Sequence, residues 1–279
     1  MADDPIRSEH IRRNDETLSR RGVMSSHRDH VMSHILNAGR NGGQRLCILG
    51  AGNCNDVDLE TLARAFDQIT LVDIDSIAID RAVESLSPKE RTSVTVIGNV
   101  DVAGIYDRLD GIGEPSSNIS LVDLIELANS FTISLGEPFD VVCSTCLLTQ
   151  LIDSVCMKIP ESHPQFVELV LTVRNRHLRL IAELLAPNGF GLLITDFVSS
   201  RTAPELAVMT AEQLPVAAMK WIANRNFFTG VNPFLLRQRF QQSAELLRLA
   251  EFKYLSKPWK WDIGEKKFAV CVLTIRAHA

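Results

Sequence analysis

The sequence predicts an α/β fold, doubly wound around a mostly parallel sheet of seven strands. Five short aliphatic and β-branched runs alternate with segments whose apolar residues recur at helical spacing; the runs are 45–50, 69–73, 93–98, 139–144 and 190–196. Near-continuous apolar strands separated by helices are typical of a parallel sheet that is covered on both faces. Two further runs, 253–259 and 267–276, are joined by about seven residues, too few for a crossover helix. They predict an antiparallel C-terminal β-hairpin.

The chain is interpreted as a single domain, 1–279, whose core spans 44–279. Residues 1–43 predict an N-terminal helical extension that serves as a lid over this core. Within the extension, the amphipathic stretch 23–36 predicts a helix, and residues 40–43 predict a linker to the first strand.

Two helical insertions are predicted in the core, near 107–138 and 197–250. The first contains a loop over 111–118 and then a helix that Ser120 opens, because Asp123 three residues later completes a capping-box pattern. The second insertion and the N-terminal extension are expected to form the walls of a substrate pocket.

The composition excludes several classes of protein. Hydrophobic residues make up 46% of the chain and charged residues 23%, which is typical of globular proteins. No apolar run approaches the roughly 18–20 residues of a membrane span, and the charged N-terminus lacks a secretory segment. A net charge of −5 disfavours nucleic acid as a partner. We therefore expect a cytoplasmic protein with a small-molecule substrate and no membrane or nucleic-acid partner; its oligomeric state is not predicted.

The six cysteines are interpreted as small buried hydrophobic residues in a reducing compartment. Cys143 and Cys146 form a C-x-x-C pattern, for which metal or redox use is the less favoured alternative. The pattern has no second pair at zinc spacing and begins inside a strand, so no metal site is predicted.

A glycine-containing turn follows the first predicted strand. Gly50-Ala51-Gly52 precedes a helical pattern, and glycines at such a turn let a ligand approach the backbone beside the helix N-terminus. Two glycines are a weak signal alone, and an ordinary strand-to-helix turn is the alternative.

An acidic residue strengthens the case for a nucleoside ligand. Asp73 ends the second strand, 21 residues after Gly52, where its carboxylate can accept hydrogen bonds from both ribose hydroxyls. Asp75 directly precedes a helical pattern and is interpreted as a helix N-cap. The turn and the acid fit either a dinucleotide or S-adenosylmethionine. Asn55 stands where the dinucleotide pattern G-x-G-x-x-G requires its third glycine, which argues against NAD, as does the terminal hairpin.

With these motifs, the sequence resembles the class I S-adenosylmethionine-dependent methyltransferases. The matching segments follow the family's order over about 45–276; they are 46–59, 71–75, 96–101, 139–151, 177–196 and 267–276. The resemblance implies a Rossmann-like fold, S-adenosylmethionine as cofactor and in-line methyl transfer to a small molecule. The positions that it identifies as cofactor-binding are Gly50, Ala51, Gly52, Asn55, Asp73, Ile74, Asn99, Val100, Ser144 and Thr145.

The resemblance also implies individual roles for some of these residues. Gly50 and Gly52 would pass under the methionine part of the cofactor, and Ile74 would pack on its adenine. Asn99 stands where the family often has an acid that contacts the adenine amino group, and the Val100 N–H would meet a ring nitrogen. Two alternatives stay open: an NAD(P)-dependent oxidoreductase, and a protein that binds S-adenosylmethionine without turnover.

The sequence identifies no catalytic residue, because positioning can supply much of the acceleration in methyl transfer. Asp196, at the tip of the fifth strand, is a candidate for a role in the site. His163 and His177 are candidates for a general base, a task that suits the pKa of histidine. Several other residues are expected chiefly to pack, with lid, metal or substrate contacts as alternatives; they are His27, His30, His34, Trp259, Trp261, Phe227, Phe228 and Phe234.

Overall fold

The structure is a computed structural model that describes residues 5–40, 44–112 and 120–279. Residues 41–43 of the linker predicted over 40–43, and residues 113–118 of the loop predicted over 111–118, lie outside the described residues. The strands are β1 (Arg45–Leu49), β2 (Gln68–Val72), β3 (Val94–Ile97), β4 (Phe139–Thr145), β5 (Leu185–Ser199), β6 (Ala250–Leu255), β7 (Trp259–Asp262) and β8 (Lys267–Ala277).

Twelve α-helices occur in the described residues. They are α1 (Pro5–Thr17), α2 (Ser25–Gly39), α3 (Leu59–Ala65), α4 (Ser76–Glu84), α5 (Pro88–Arg91), α6 (Tyr106–Asp110), α7 (Leu121–Ser130), α8 (Leu147–Lys158), α9 (Phe166–Glu183), α10 (Leu214–Ala223), α11 (Pro233–Gln242) and α12 (Ala244–Leu249). In this described part, no helix is long and apolar enough to cross a membrane.

The strands form one sheet in the order β3-β2-β1-β4-β5-β8-β6. Strands β1 to β5 are parallel, and β8 runs antiparallel to β5. The predicted α/β fold with a mostly parallel sheet and an antiparallel C-terminal strand is confirmed.

The far edge of the sheet differs from the prediction of seven strands. The predicted strand 253–259 is two strands, β6 and β7, which both pair with β8 and follow one another along its edge. The chain leaves the ladder at Pro258, between the two, because proline has no N–H to donate. The described chain therefore has eight strands, and β7 and β8 form the predicted hairpin.

Helices cover both faces of the sheet. In β1, Leu46 and Ile48 pack against α2, α3 and α4, whereas Cys47 and Leu49 pack into the larger core that contains α7, α8 and α9. This alternation is the side-chain period of a strand buried on both faces, and it confirms the doubly wound arrangement.

Two helices outside the parallel strands were predicted from the sequence and are confirmed, and one was not predicted. The helix predicted over 23–36 is confirmed as α2. The sequence did not predict α1, because its residues are mostly charged or polar and only Ile6 and His10 are buried. The predicted capping box at the start of α7 is confirmed, with Ser120 and Asp123 bonded reciprocally.

Candidate functional site

A cavity of about 810 Å³ lies at the carboxyl ends of the parallel strands. Its walls come from α1, from the turn after β1, from the ends of β2, β4 and β5, from α8 and from the β7–β8 hairpin. This edge is where ligands bind in open α/β sheets. Both the N-terminal extension and the insertion near 197–250 contribute wall residues, including Asn14 and Phe228.

The turn after β1 forms the floor of the cavity. Gly50 and Gly52 have φ angles of +76° and +46°, in the left-handed region that glycine adopts without strain. The N–H of Gly50 donates to the Val72 carbonyl at 2.9 Å, and the Thr145 hydroxyl donates to the Gly50 carbonyl at 2.9 Å. Neighbouring strands on both sides therefore hold this turn in place.

Asp73 lies beside this turn at the end of β2. Its carboxylate accepts the Gly52 N–H at 2.8 Å and the Asp75 N–H at 2.9 Å. Burial raises the pKa of Asp73 to about 6, although these N–H groups favour its ionised form. A carboxylate has about four acceptor sites, so Asp73 keeps acceptor capacity for a hydroxyl donor from a ligand.

Asp75 has the predicted structural role. Its side chain caps α4 by accepting the Ala78 N–H at 3.1 Å, and it also accepts the Asn14 amide at 3.0 Å. We predict that Asp75→Ala lowers the free energy of unfolding by about 1 kcal/mol, whereas Asp75→Ser, which keeps a capping oxygen, loses less. Urea unfolding of both variants checks this, and equal losses in the two would contradict it.

The N-terminal segment is fixed against the turn. The side-chain amides of Asn53 and Asn55 donate to the carbonyls of Asn14 and Thr17 at 2.6 and 2.9 Å. A Cβ on Gly52 would lie 2.7 Å from the Asn14 side chain, so α1 approaches the backbone of the turn closely. The segment thus forms a wall of the cavity beside the turn.

Eight of the ten predicted cofactor-binding residues line the cavity; they are Gly50, Ala51, Gly52, Asn55, Asp73, Ile74, Val100 and Thr145. Ser144 and Asn99 do not. Ser144 is fully buried, and its hydroxyl lies 2.7 Å from Nε2 of His177. Asn99 is exposed and accepts a hydrogen bond from Arg7.

The backbone of Val100 also differs from expectation. Its N–H donates to the Asp73 carbonyl at 3.1 Å, so it is not free for a ring nitrogen of a ligand. Val100 still lines the cavity with Ile74 and Val102, where the three side chains offer an apolar surface.

Asp196 lies at the opposite end of the cavity from this surface, on β5. It is buried, and its carboxylate accepts the Thr149 hydroxyl at 2.5 Å. Burial raises the pKa of Asp196 to about 6. The predicted position of Asp196 at the cavity is confirmed, and its chemical role stays a prediction.

A second carboxylate, Asp56, was not identified from the sequence. Its Oδ1 lies 3.3 Å from Nε2 of His27, a buried side chain on α2. Nδ1 of His27 accepts the Trp259 indole N–H at 3.0 Å, so a neutral His27 carries its proton on Nε2, facing Asp56. Both His27 and Asp56 lie close enough to Asp196 to influence its pKa.

The other histidine candidates lie elsewhere. His177 is enclosed in the core, where burial lowers its pKa to about 3, and it does not line the cavity. His163 accepts the Gln165 N–H in a local turn, also away from the cavity. His30 and His34 stack on Trp259, as the packing interpretation expects. Among the described residues, no group of three or more His, Cys, Asp or Glu side chains is arranged to hold a metal ion.

The remaining predicted residues divide between core and cavity. Trp259 is buried, whereas Trp261 lines the cavity. Phe227 packs on the core, Phe228 also reaches the cavity, and Phe234 does not line it. His10 and Tyr106 also line the cavity and were not identified from the sequence; their rings stack with centroids 5.5 Å apart. The i, i+4 spacing of Ile6 and His10, which are both buried, is the one sequence pattern that could have indicated the helix α1.

The arrangement of strands agrees with the fold that the motifs imply. Five parallel strands followed by an antiparallel strand beside β5, with a glycine turn after β1 and an acid after β2, form a Rossmann-like α/β sheet. No protein family and no curated protein matches the chain by sequence.

Solved structures similar to this chain include methyltransferases at low sequence identity. The N-methyltransferase NodS from Bradyrhizobium japonicum WM9 is 12% identical over 88% of this chain and 94% of its own, with a TM-score of 0.45. A SAM-dependent methyltransferase from Methanosarcina mazei is 14% identical over 84% and 92%, with a TM-score of 0.46. SAM-bound CalS10, an amino pentose methyltransferase from Micromonospora echinaspora, is 17% identical over 61% and 50%, with a TM-score of 0.35.

Proposed function

We propose that this protein is an enzyme that transfers a methyl group from S-adenosylmethionine to a small molecule. The observation that carries the proposal is the Asp73 carboxylate, fixed by the Gly52 N–H beside a glycine turn and lining the cavity. This arrangement provides acceptors for two vicinal hydroxyls beside the glycine turn.

The residues of the cavity fit the parts of an adenosyl cofactor. Asp73 would hold the ribose, the turn from Gly50 to Gly52 would pass beside the methionine part, and Ile74 with Val100 would cover one face of the adenine. One buried polar atom at this end, Oδ1 of Asn53, has no hydrogen-bond partner among the described residues and is available to a ligand donor. When bound, the cofactor supplies an electrophilic methyl group on a sulfonium.

The size of the cavity supports a small-molecule acceptor. Its volume of about 810 Å³ lies in the range of roughly 300–1,000 Å³ of small-molecule sites. The protein's own contribution would be to exclude water beneath α1 and to position the acceptor, which alone can supply much of the acceleration. As part of the proposal we place the protein in the cytoplasm, supported by its six cysteines, which are all free thiols.

Calorimetric titration with S-adenosylmethionine, S-adenosylhomocysteine and NAD in parallel tests this proposal. We expect both adenosyl compounds to bind and NAD to give no heat of binding, because Asn55 occupies the position of the third dinucleotide glycine and uses its side chain to hold Thr17. Binding of NAD alone would favour an oxidoreductase, and no binding of any of the three would contradict the proposed cofactor.

A further inference from the structure

Two carboxylates, Asp56 and Asp196, line one part of the cavity and lie close enough to interact electrostatically. We name this part the acceptor end and define it by Asp56, Asp196, Trp261, Phe228 and Phe268, which all line the cavity. The residues form a continuous group: His27 lies beside Asp56 and 4.7 Å from the Trp261 ring, and the Phe268 ring lies 5.2 Å from Trp261 and 6.3 Å from Phe228.

The two carboxylates of the acceptor end have no lysine or arginine partner. Within residues 5–40, 44–112 and 120–279, no Lys or Arg forms an ion pair with Asp56 or Asp196. Among the basic side chains of the wall, Arg12 and Arg13 pair with acidic residues of α1 and α8, and Arg20 donates to the Ile263 carbonyl. Arg201 and Lys266 also line the cavity, and neither forms an ion pair with Asp56 or Asp196.

His27 contacts one of the two carboxylates. Its Nδ1 accepts the Trp259 N–H, so the ring directs Nε2 toward Oδ1 of Asp56, 3.3 Å away. Both of these buried atoms lack a hydrogen-bond partner among the described residues. Two carboxylates held in a partly apolar cavity without a Lys or Arg partner are costly unless a ligand provides a cation.

We propose that the acceptor end binds an amine and that the amine nitrogen is the methyl acceptor. This inference rests on the proposed function. An ammonium group would be attracted by both carboxylates, and the aromatic walls would add a cation–π contribution and contacts for an apolar group attached to the nitrogen.

The reaction balances with the groups that are present. The ammonium gives one proton to the Asp196 carboxylate, and the freed lone pair forms the N–C bond while the C–S bond breaks and its electron pair stays on sulfur. The product is a methylated ammonium, and Asp196 then releases its proton to solvent. Because burial raises the pKa of Asp196 to about 6, this transfer is less unfavourable than it would be to an ordinary carboxylate.

A ligand series that differs only in charge tests the inference. 2-Phenylethylamine, 2-phenylethanol and 3-phenylpropionate share the same ring and chain but carry a cation, a neutral hydroxyl and an anion. We expect calorimetry in the presence of saturating S-adenosylhomocysteine to show binding of the amine, with the other two at least about tenfold weaker. Equal or tighter binding of the alcohol or the acid, or no binding of the amine, would overturn the proposal.

Two variants test whether the amine binds at the acceptor end. Asp196→Asn and Asp56→Asn should each weaken amine binding by at least about tenfold while leaving the affinity for S-adenosylhomocysteine unchanged; Asp80→Asn, an exposed change on α4, is the matched control. Amine binding that is indifferent to both cavity variants would contradict the inference. Titrations without S-adenosylhomocysteine separate the two proposals, since failure of that ligand to bind contradicts the cofactor and leaves amine binding measurable.

Discussion

Asp73→Ala is expected to weaken the binding of S-adenosylmethionine by about 1–3 kcal/mol, roughly 5- to 150-fold in Kd. The reason is that the carboxylate is the acceptor we assign to the ribose hydroxyls, and alanine leaves those hydroxyls without a partner. The loss also removes the acceptor of the Gly52 N–H, so the glycine turn is less well held. Calorimetric titration of the wild type and the variant measures the difference directly.

Two further variants provide an intermediate case and a control for this effect on binding. Asp73→Asn keeps one acceptor oxygen and the size of the side chain, so it should bind with intermediate affinity. Asp80→Ala replaces an exposed aspartate on the neighbouring helix α4 and should bind like the wild type. If Asp73→Ala binds as tightly as Asp80→Ala, the placement of the ribose is wrong.

Asp196→Asn is expected to stabilise the fold at pH 7.5 by about 1–3 kcal/mol. Burial raises the pKa of Asp196 to about 6 from an ordinary value of 3.8, and the upper limit is this difference at about 1.4 kcal/mol per pH unit. The amide oxygen of asparagine can still accept the Thr149 hydroxyl, so the geometry is kept. A residue that destabilises the fold in this way is typical of a functional site.

The raised pKa of Asp196 also determines the pH range over which the stability of the wild type should fall. The folded protein binds the Asp196 proton more tightly than the unfolded chain does, so the wild type loses stability as the pH rises from about 4 to about 6. Asparagine does not titrate, and the advantage of the variant should therefore be small at pH 4 and complete at pH 7.5. Urea unfolding at both pH values, with Asp80→Asn as control, checks this; a variant less stable than the wild type at pH 7.5 would contradict it.

The parallel strands could be predicted because each one is specified by residues that are neighbours in the sequence. Each parallel strand is a short apolar run followed by a helical pattern, so both its position and its direction follow from neighbouring residues. The division of the last predicted strand into β6 and β7 was not predicted, because it depends on how both pair with β8. The helix α1 was missed because it is held by polar contacts with distant residues such as Asp75.

The cofactor end of the site was predictable for the same reason. Gly50, Gly52 and Asp73 occupy the ends of adjacent strands in register, where Leu49 pairs with Val72. Ser144 shows the limit of assignment by motif: successive residues of a strand face opposite sides, and while Thr145 faces Gly50, Ser144 faces His177 in the core.

The acceptor end could be predicted only in part. Asp196, at the tip of the fifth strand, was identified as a site candidate, and Trp261 and Phe228 had substrate contact as an alternative. Asp56 was missed, because only the fold brings it together with His27 on α2 and Trp259 on β7.

A crystal structure of the protein with S-adenosylhomocysteine is the most direct test of the central claim, that this cavity holds an adenosyl cofactor. We predict the ribose hydroxyls within hydrogen-bond distance of the Asp73 carboxylate, the adenine against Ile74 and the sulfur directed toward the acceptor end. A ligand bound outside the cavity, or inside it without contact to Asp73, would contradict the account.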